Sequence, residues 1–210
     1  MNTAVFRAWI VSAAEVIEAN RDHLTQLDAA IGDADHGINL ARGFAAVTAA
    51  IDGAATPGAV LTVTGSTLIS KVGGASGPLY GVAFRRAGKA LGTAPEADLP
   101  ALGQALEAAL AGVQQLGAAR EGDKTMVDAI APASRAFAKA VAEGAAQADA
   151  LAAAAAAAAE RAAATVSMQA RKGRASYLGP RSVGHEDPGA ASTVLILTAL
   201  RHAAARPPAP

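Results

Sequence analysis

The chain has 210 residues, 60 of them alanine, so its hydrophobic fraction of 52% overstates the supply of large apolar side chains. Alanine is the strongest helix former, and few β-branched or aromatic runs remain for a sheet, so the composition predicts one mostly helical domain over residues 1–210. A net charge of zero argues against a nucleic-acid-binding or membrane-surface protein, and the absence of cysteine excludes disulfides and thiolate metal sites.

Eight helices are predicted from apolar periodicity, capping residues and the positions of glycine and proline. They are expected at approximately 3–22, 38–51, 57–73, 78–91, 98–117, 126–143, 148–170 and 188–205. The first helix carries charges that are not typical of a signal peptide, and the alanine run at 150–159 is too short to span a membrane. The proline-rich tail at 206–210 is expected to be frayed, and the expected compartment is the cytoplasm.

The fold class that follows from these helices is an all-α bundle or barrel of about eight members. Alanine on the buried faces would let neighbouring helices approach each other closely. Chemistry is expected in the four connections whose composition departs from that of the helices. These are residues 28–39, 73–78, 117–126 and 171–189.

Three carboxylates lie in the first of these loops: Asp28, Asp33 and Asp35. An extended loop would project Asp33 and Asp35 to the same side. Carboxylates held this close repel each other unless a cation or a proton intervenes, and Mg²⁺ prefers oxygen ligands. The three residues are therefore candidate magnesium ligands, and capping of the next helix is the alternative. His36 is not counted as a ligand, because Mg²⁺ rarely binds imidazole.

The other three loops suit an anionic ligand. The glycine-rich segment 73–78 precedes a helix, where backbone N–H groups can contact a phosphate; a plain interhelical turn is the alternative. Residues 122–126 read GDKTM, but an aspartate separates the glycine from the lysine and no strand is predicted before them, so a P-loop is excluded. The long loop 171–189 carries four cationic side chains, which suit an anionic ligand. The alternative is that this loop is solvated and mobile.

Taken together, the four loops fit one ligand, a magnesium-bound nucleotide. Three carboxylates would hold the metal, and helix N-termini with arginine would hold the phosphates. No side chain is assigned as a nucleophile or general base, so the predicted chemistry is phosphoryl transfer by positioning and charge neutralisation.

The sequence motifs in these loops resemble those of the ADP-binding L subunits of bacterial dihydroxyacetone kinases. The resemblance is nearly full-length, and GDADHG together with GGASGP is typical of the branch that depends on the phosphotransferase system. The matching stretches are IGDADHGIN (31–39), VGGASGPLYG (72–81), GDKTM (122–126), MQARKGRASYLG (168–179) and GHEDPGA (184–190).

The resemblance implies a barrel of eight antiparallel helices, with tightly bound ADP and two Mg²⁺ at one end. Asp28, Asp33 and Asp35 match the family's metal-binding aspartates. The residues that match its nucleotide contacts are His36, Gly37, Ile38, Asn39, Ala75, Ser76, Gly117, Met126, Arg174, Asp187, Pro188 and Gly189.

Partner subunits are also implied by the resemblance. A K subunit would hold dihydroxyacetone on a histidine, and a phosphoprotein M subunit of the phosphotransferase system would phosphorylate the bound ADP in place. The chain alone is then expected to be inactive, and a homodimer is left open. Two alternatives are an ATP-dependent kinase subunit for another small ketose, such as erythrulose, and a non-catalytic nucleotide- or lipid-binding helical module. The aspartate cluster argues against the module.

Overall fold

The computed structural model describes residues 1–205, and α-helices dominate this part of the chain. Two 3₁₀ segments, Thr165–Ser167 and Arg174–Ser182, lie between the last two α-helices. The α-helices of the described residues are α1 (Thr3–Ala19), α2 (Arg21–Ile31), α3 (His36–Ala50), α4 (Pro57–Lys71), α5 (Ser76–Leu91), α6 (Leu99–Gly117), α7 (Val127–Ala142), α8 (Gln147–Ala164) and α9 (Pro188–Ala205). The predicted all-α class is confirmed. The tail at 206–210, predicted to be frayed, lies outside the described residues.

Several helices begin where the capping residues of the sequence indicate. The Thr56 hydroxyl accepts a hydrogen bond from the backbone N–H of Ala59 at 3.1 Å, directly before the proline that opens α4. The Asp98 carboxylate accepts one from the N–H of Ala101 at 2.8 Å and caps α6 in the same way. Each cap satisfies a backbone donor that the first helical turn leaves without a partner.

The first predicted helix is divided in the structure. It was expected to run to residue 22, but α1 ends at Ala19 and α2 begins at Arg21. The residue between them is Asn20, whose side-chain amide donates to the Val16 carbonyl at 2.8 Å and so competes with the helical hydrogen bonds. The prediction of a loop from residue 28 is consequently wrong, because α2 continues to Ile31 and includes Asp28.

The predicted seventh helix is too long at its C-terminal end. It was expected to reach residue 170, but α8 ends at Ala164 and a single 3₁₀ turn follows. Thr165 is fully buried at this end. Its hydroxyl donates to the Ala162 carbonyl at 2.5 Å and accepts the backbone N–H of Asp187 at 3.0 Å, so the chain is tied to the start of α9.

The order of packing between helices is nearly sequential. Consecutive helices from α3 to α9 contact each other, and α1 contacts both α3 and α9, while α2 packs mainly on α3. The sequence of contacts therefore returns to its starting helix, as a closed arrangement of eight helices requires. The barrel stays a prediction, and this order of contacts supports it.

Helices α4 and α5 approach each other closely at several glycines. A Cβ added at Gly65 would meet the Gly81 carbonyl oxygen, and one added at Gly88 would lie 2.6 Å from the Gly58 carbonyl oxygen. Aromatic side chains fill the interior elsewhere, with the ring centroids of Trp9 and Phe84 5.7 Å apart. Within residues 1–205, no helix is both long and apolar enough to cross a membrane.

Candidate functional site

Three aspartates meet at the junction of α2 and α3. Asp28, Asp33 and Asp35 each offer one carboxylate oxygen, and these oxygens lie within 4.8 Å of one another. The predicted cluster is present, but an extended loop is not what brings the carboxylates together. Ala34 has a left-handed backbone with φ of 61°, so the chain turns between Asp33 and Asp35 and is not extended there.

Asp28 has a structural task in addition to its place in the cluster. One oxygen of its buried carboxylate accepts the backbone N–H groups of Asp35 at 2.9 Å and His36 at 3.1 Å, at the start of α3. The side chain of Asp35, which precedes α3, makes no capping hydrogen bond. The capping alternative therefore applies to Asp28 and leaves the other two carboxylates available for another partner.

The electrostatics of the cluster favour a bound cation. Burial, followed by the charges of Asp33 and Asp28, raises the pKa of Asp35. The guanidinium of Arg174 contacts the Asp33 carboxylate, with Nε 3.0 Å from Oδ2. Oxygen ligands in this number suit a hard divalent ion such as Mg²⁺, and an added positive charge would relieve the mutual repulsion of the carboxylates. The donor set therefore fits the predicted metal.

A cleft opens beside the aspartates and is bounded by the beginnings of four helices. His36, Ser76 and Pro188 are the first residues of α3, α5 and α9, and Met126 directly precedes α7; all four line this cleft. Helix N-termini present free backbone N–H groups and the positive end of the helix dipole. The space within the cleft, including its open mouth, is about 810 Å³. The arrangement suits an anion beside a cation.

Most residues that the sequence assigned to the site line this cleft. They are Asp28, Asp33, Asp35, His36, Ala75, Ser76, Met126, Arg174, Asp187, Pro188 and Gly189. Four assigned residues do not line it: Gly37, Ile38, Asn39 and Gly117. Ile38 is 50% exposed, and Gly37 faces α2, where a Cβ would meet the Arg21 carbonyl oxygen. Asn39 accepts a hydrogen bond from Arg42 at 2.8 Å, and Gly117 packs near Leu79, which does line the cleft.

A buried polar network forms the floor of the cleft. The Tyr80 hydroxyl lies 2.6 Å from the Ser192 hydroxyl and 2.9 Å from that of Thr193, and Ser192 lies 2.9 Å from Nε2 of His36. Burial lowers the pKa of His36 to about 4, so the ring is neutral near pH 7, and burial raises the pKa of Tyr80. The network joins the first turns of α3 and α9 to α5.

Two further charged residues at the cleft have structural roles, and the cap at Asp187 is the one predicted for the start of the last helix. Asp187 accepts the backbone N–H of Ala190 at 2.7 Å and caps α9, and burial raises its pKa to about 7. Lys124 lines the cleft and has no exposed surface. Lys124 lies in the motif GDKTM, for which the sequence excluded a P-loop and predicted no other role. A lysine flanked by aspartate and threonine directly before a helix was the available signal.

Comparison with known proteins gives the family. The model of the DAK2 domain matches residues 30–202. The chain belongs to the DAK2 domain family. Within this family, the chain is 42% identical over 198 residues to the ADP-binding subunit DhaL of the PEP-dependent dihydroxyacetone kinase of Escherichia coli, covering 93% of this chain and 94% of that protein.

A second relative and a solved structure also match this chain. The ADP-binding subunit DhaL of the PTS-dependent dihydroxyacetone kinase of Lactococcus lactis is 38% identical, with 91% of this chain and 93% of that protein covered. The crystal structure of the dihydroxyacetone kinase of C. freundii in complex with AMP-PNP and Mg²⁺ superposes with a TM-score of 0.69 at 24% identity. It covers 96% of this chain, which spans about a third (34%) of that longer kinase. The resemblance to bacterial L subunits is confirmed.

Proposed function

We propose that this chain binds ADP and Mg²⁺ and is the phosphoryl-transfer subunit of a dihydroxyacetone kinase. The observation that carries the proposal is the juxtaposition of three carboxylates with four helix N-termini around one cleft. Two relatives named as ADP-binding subunits, matched over more than nine-tenths of this chain, support it. The C. freundii kinase, which shares the fold, was crystallised with AMP-PNP and Mg²⁺.

Different residues of the cleft would bind the metal and the phosphates of the nucleotide. Asp33 and Asp35, with the second oxygen of Asp28, would hold magnesium, and we propose two ions there. Bound Mg²⁺ would offset phosphate charge during transfer. The backbone N–H groups at Ala75 and Ser76 would contact phosphate oxygens at the start of α5. Neutral His36 adds no charge to the site.

The chain itself needs no nucleophile for this chemistry. In phosphoryl transfer, catalysis rests largely on positioning and on stabilising the charge of the transferred group. Hydrogen bonds through Tyr80 and Ser192 join α5 to α3 and α9, so the positive ends of these three helices would be held together around the nucleotide. Arg174 lies at the mouth and is 68% exposed, so it can move from Asp33 to a phosphate oxygen.

The proposed reaction sequence has two transfers. A phosphoprotein M subunit of the phosphotransferase system would phosphorylate ADP that stays in the cleft, and the ATP so formed would phosphorylate dihydroxyacetone held on a K subunit. The names of the two relatives, PEP-dependent and PTS-dependent, support this donor. Retention of ADP through turnover requires tight binding, on the order of 10 kcal/mol. The chain would work in the cytoplasm and would be inactive without its partners.

Reconstitution tests this assignment. The chain is combined with K and M subunits and offered either phosphoenolpyruvate with the general phosphotransferase proteins, or ATP. We expect turnover of dihydroxyacetone with phosphoenolpyruvate only, and none when any one subunit is omitted. ATP-supported turnover with rapid nucleotide exchange would contradict the proposed donor, and preference for erythrulose over dihydroxyacetone would favour the alternative kinase.

A further inference from the structure

Lys124 occupies a position that is unusual for a lysine. Its side chain is fully buried, although lysine is among the residues that are almost never buried without a partner for the charge. Its backbone is left-handed, with φ of 61°, a conformation that favours glycine or asparagine. Both features cost free energy, so the side chain must make interactions that offset them.

The interactions are three hydrogen bonds from one ammonium group. Nζ of Lys124 donates to the backbone carbonyls of Thr165 at 2.8 Å, Met168 at 3.2 Å, and His185. An ammonium has three N–H donors, so all of them are used. Within residues 1–205, no carboxylate lies within ion-pair distance of this nitrogen. All three hydrogen bonds of the ammonium therefore go to backbone carbonyls of the segment 165–187.

This segment, which joins α8 to α9, has little else to hold it. Its own apolar cluster is small, consisting of Ala170 and Ala175 with Ile31, and it is separate from the main core. Two further ties to the rest of the fold are the hydrogen bond from the Arg171 N–H to the Asp123 carbonyl and the exposed ion pair of Arg174 with Asp33, each 3.0 Å, whereas the Asp187 N–H bonds to the Thr165 hydroxyl within the segment. Segments with few buried apolar contacts open locally at low free energy.

We propose that Lys124 is a positioning residue: its buried ammonium clamps the segment 165–187 against the turn before α7. The clamp holds the backbone at Arg174 and the start of α9 at the cleft before the nucleotide arrives, and the Arg174 side chain stays free to turn toward a phosphate. Preorganisation of this kind raises affinity, because binding does not then have to order the segment. The effect on nucleotide affinity rests on the proposed function, whereas the clamp itself does not.

Limited trypsin digestion of the full chain without nucleotide tests the clamp. The segment contains tryptic sites at Arg171, Lys172, Arg174 and Arg181. Lys124→Met keeps the side-chain length and loses the charge, and Lys124→Gly suits the left-handed backbone. We expect both variants to be cleaved in the segment roughly tenfold faster than wild type, with unchanged helical content. Lys139→Met, at an exposed site on α7, should match wild type.

Calorimetry with ADP and Mg²⁺ tests the consequence for binding. Lys124→Met should raise the Kd for ADP roughly tenfold, and saturating ADP with Mg²⁺ should restore resistance to trypsin in the segment.

Cleavage at the wild-type rate in both variants would overturn the clamp, as would loss of helicity in both. Faster cleavage with an unchanged Kd would overturn the positioning role. Failure of wild type to bind ADP would contradict the proposed function and leave the digestion result to decide the clamp.

Discussion

At the scale of single residues, the aspartates of the cluster differ in what they do for the fold. Asp28 is buried and accepts two backbone N–H groups at the start of α3, whereas Asp33 is exposed and forms an ion pair with Arg174. The sequence identified all three as one acidic cluster. It could not separate them, because the division depends on α2 extending to Ile31.

Alanine substitutions should separate these two roles. Asp28→Ala leaves buried donors without their acceptor and should lower the free energy of unfolding by about 2 kcal/mol. Asp33→Ala should change it by less than about 0.5 kcal/mol, because an exposed ion pair contributes little. Urea unfolding without nucleotide measures both values. Equal losses in the two variants would contradict the structural role assigned to Asp28.

Asp187 should make stability depend on pH. Burial raises its pKa in the folded protein to about 7, above the value of about 3.9 expected when unfolded. The folded state then binds more protons between these values, so this contribution is fully present below about pH 4 and is lost as the pH rises through about 7.

The variant Asp187→Asn isolates this contribution, since asparagine can still cap α9. We expect the variant to become more stable relative to wild type as the pH rises. The difference in Tm, variant minus wild type, should be roughly 3–8 °C larger at about pH 8 than at about pH 5. Thermal scans of both proteins without nucleotide measure the difference. His36, which titrates with the opposite sign, is present in both and cancels. A difference that is constant with pH would contradict the raised pKa.

At the scale of elements, glycine decides how closely two helices approach. The contact of Gly65 with the Gly81 carbonyl leaves no room for a Cβ, and the backbone nitrogen of Arg85 would lie 2.7 Å away. Gly103, in the second turn of α6, has only ordinary contacts, with a Cβ 3.7 Å from the Phe137 ring. The two glycines look alike in sequence, since both interrupt a helical pattern.

Substitution by alanine should therefore have opposite effects at the two positions. Gly65→Ala should destabilise the fold by about 2 kcal/mol, because helix backbones must separate. Gly103→Ala should stabilise it by about 0.5–1 kcal/mol, because alanine is the better helix former. Chemical denaturation measures both. Destabilisation by Gly103→Ala, or tolerance of Gly65→Ala, would contradict the packing described for α4 and α5.

Element boundaries show where prediction from sequence was reliable. Thr56-Pro57 and Asp98 marked helix starts correctly, because a cap is a local interaction. The break at Asn20 was missed, since neither proline nor glycine marks it. The early end of α8 was missed for another reason: Thr165 bonds to Asp187, and a contact between residues so distant in sequence has no local signature.

At the scale of the whole molecule, the helices bring separate loops together at one cleft. The sequence predicted which loops carry chemistry, because their composition stands out against alanine-rich helices. It predicted the floor of the cleft poorly. Tyr80 and Ser192 are unremarkable in sequence and acquire their roles only through contacts between α5, α9 and α3. Lys124 was visible in its motif, but its three carbonyl partners were not.

The most direct test of the account is the binding of ADP to the purified chain. Calorimetry with Mg²⁺ should give a Kd well below micromolar for wild type, and removal of Mg²⁺ with a chelator should weaken binding by at least about a hundredfold. Asp35→Ala should lose ADP binding with unchanged helicity by circular dichroism. Absence of ADP binding to wild type with Mg²⁺ present, or equal affinity in Asp35→Ala, would contradict the assignment of the cleft as a magnesium–nucleotide site.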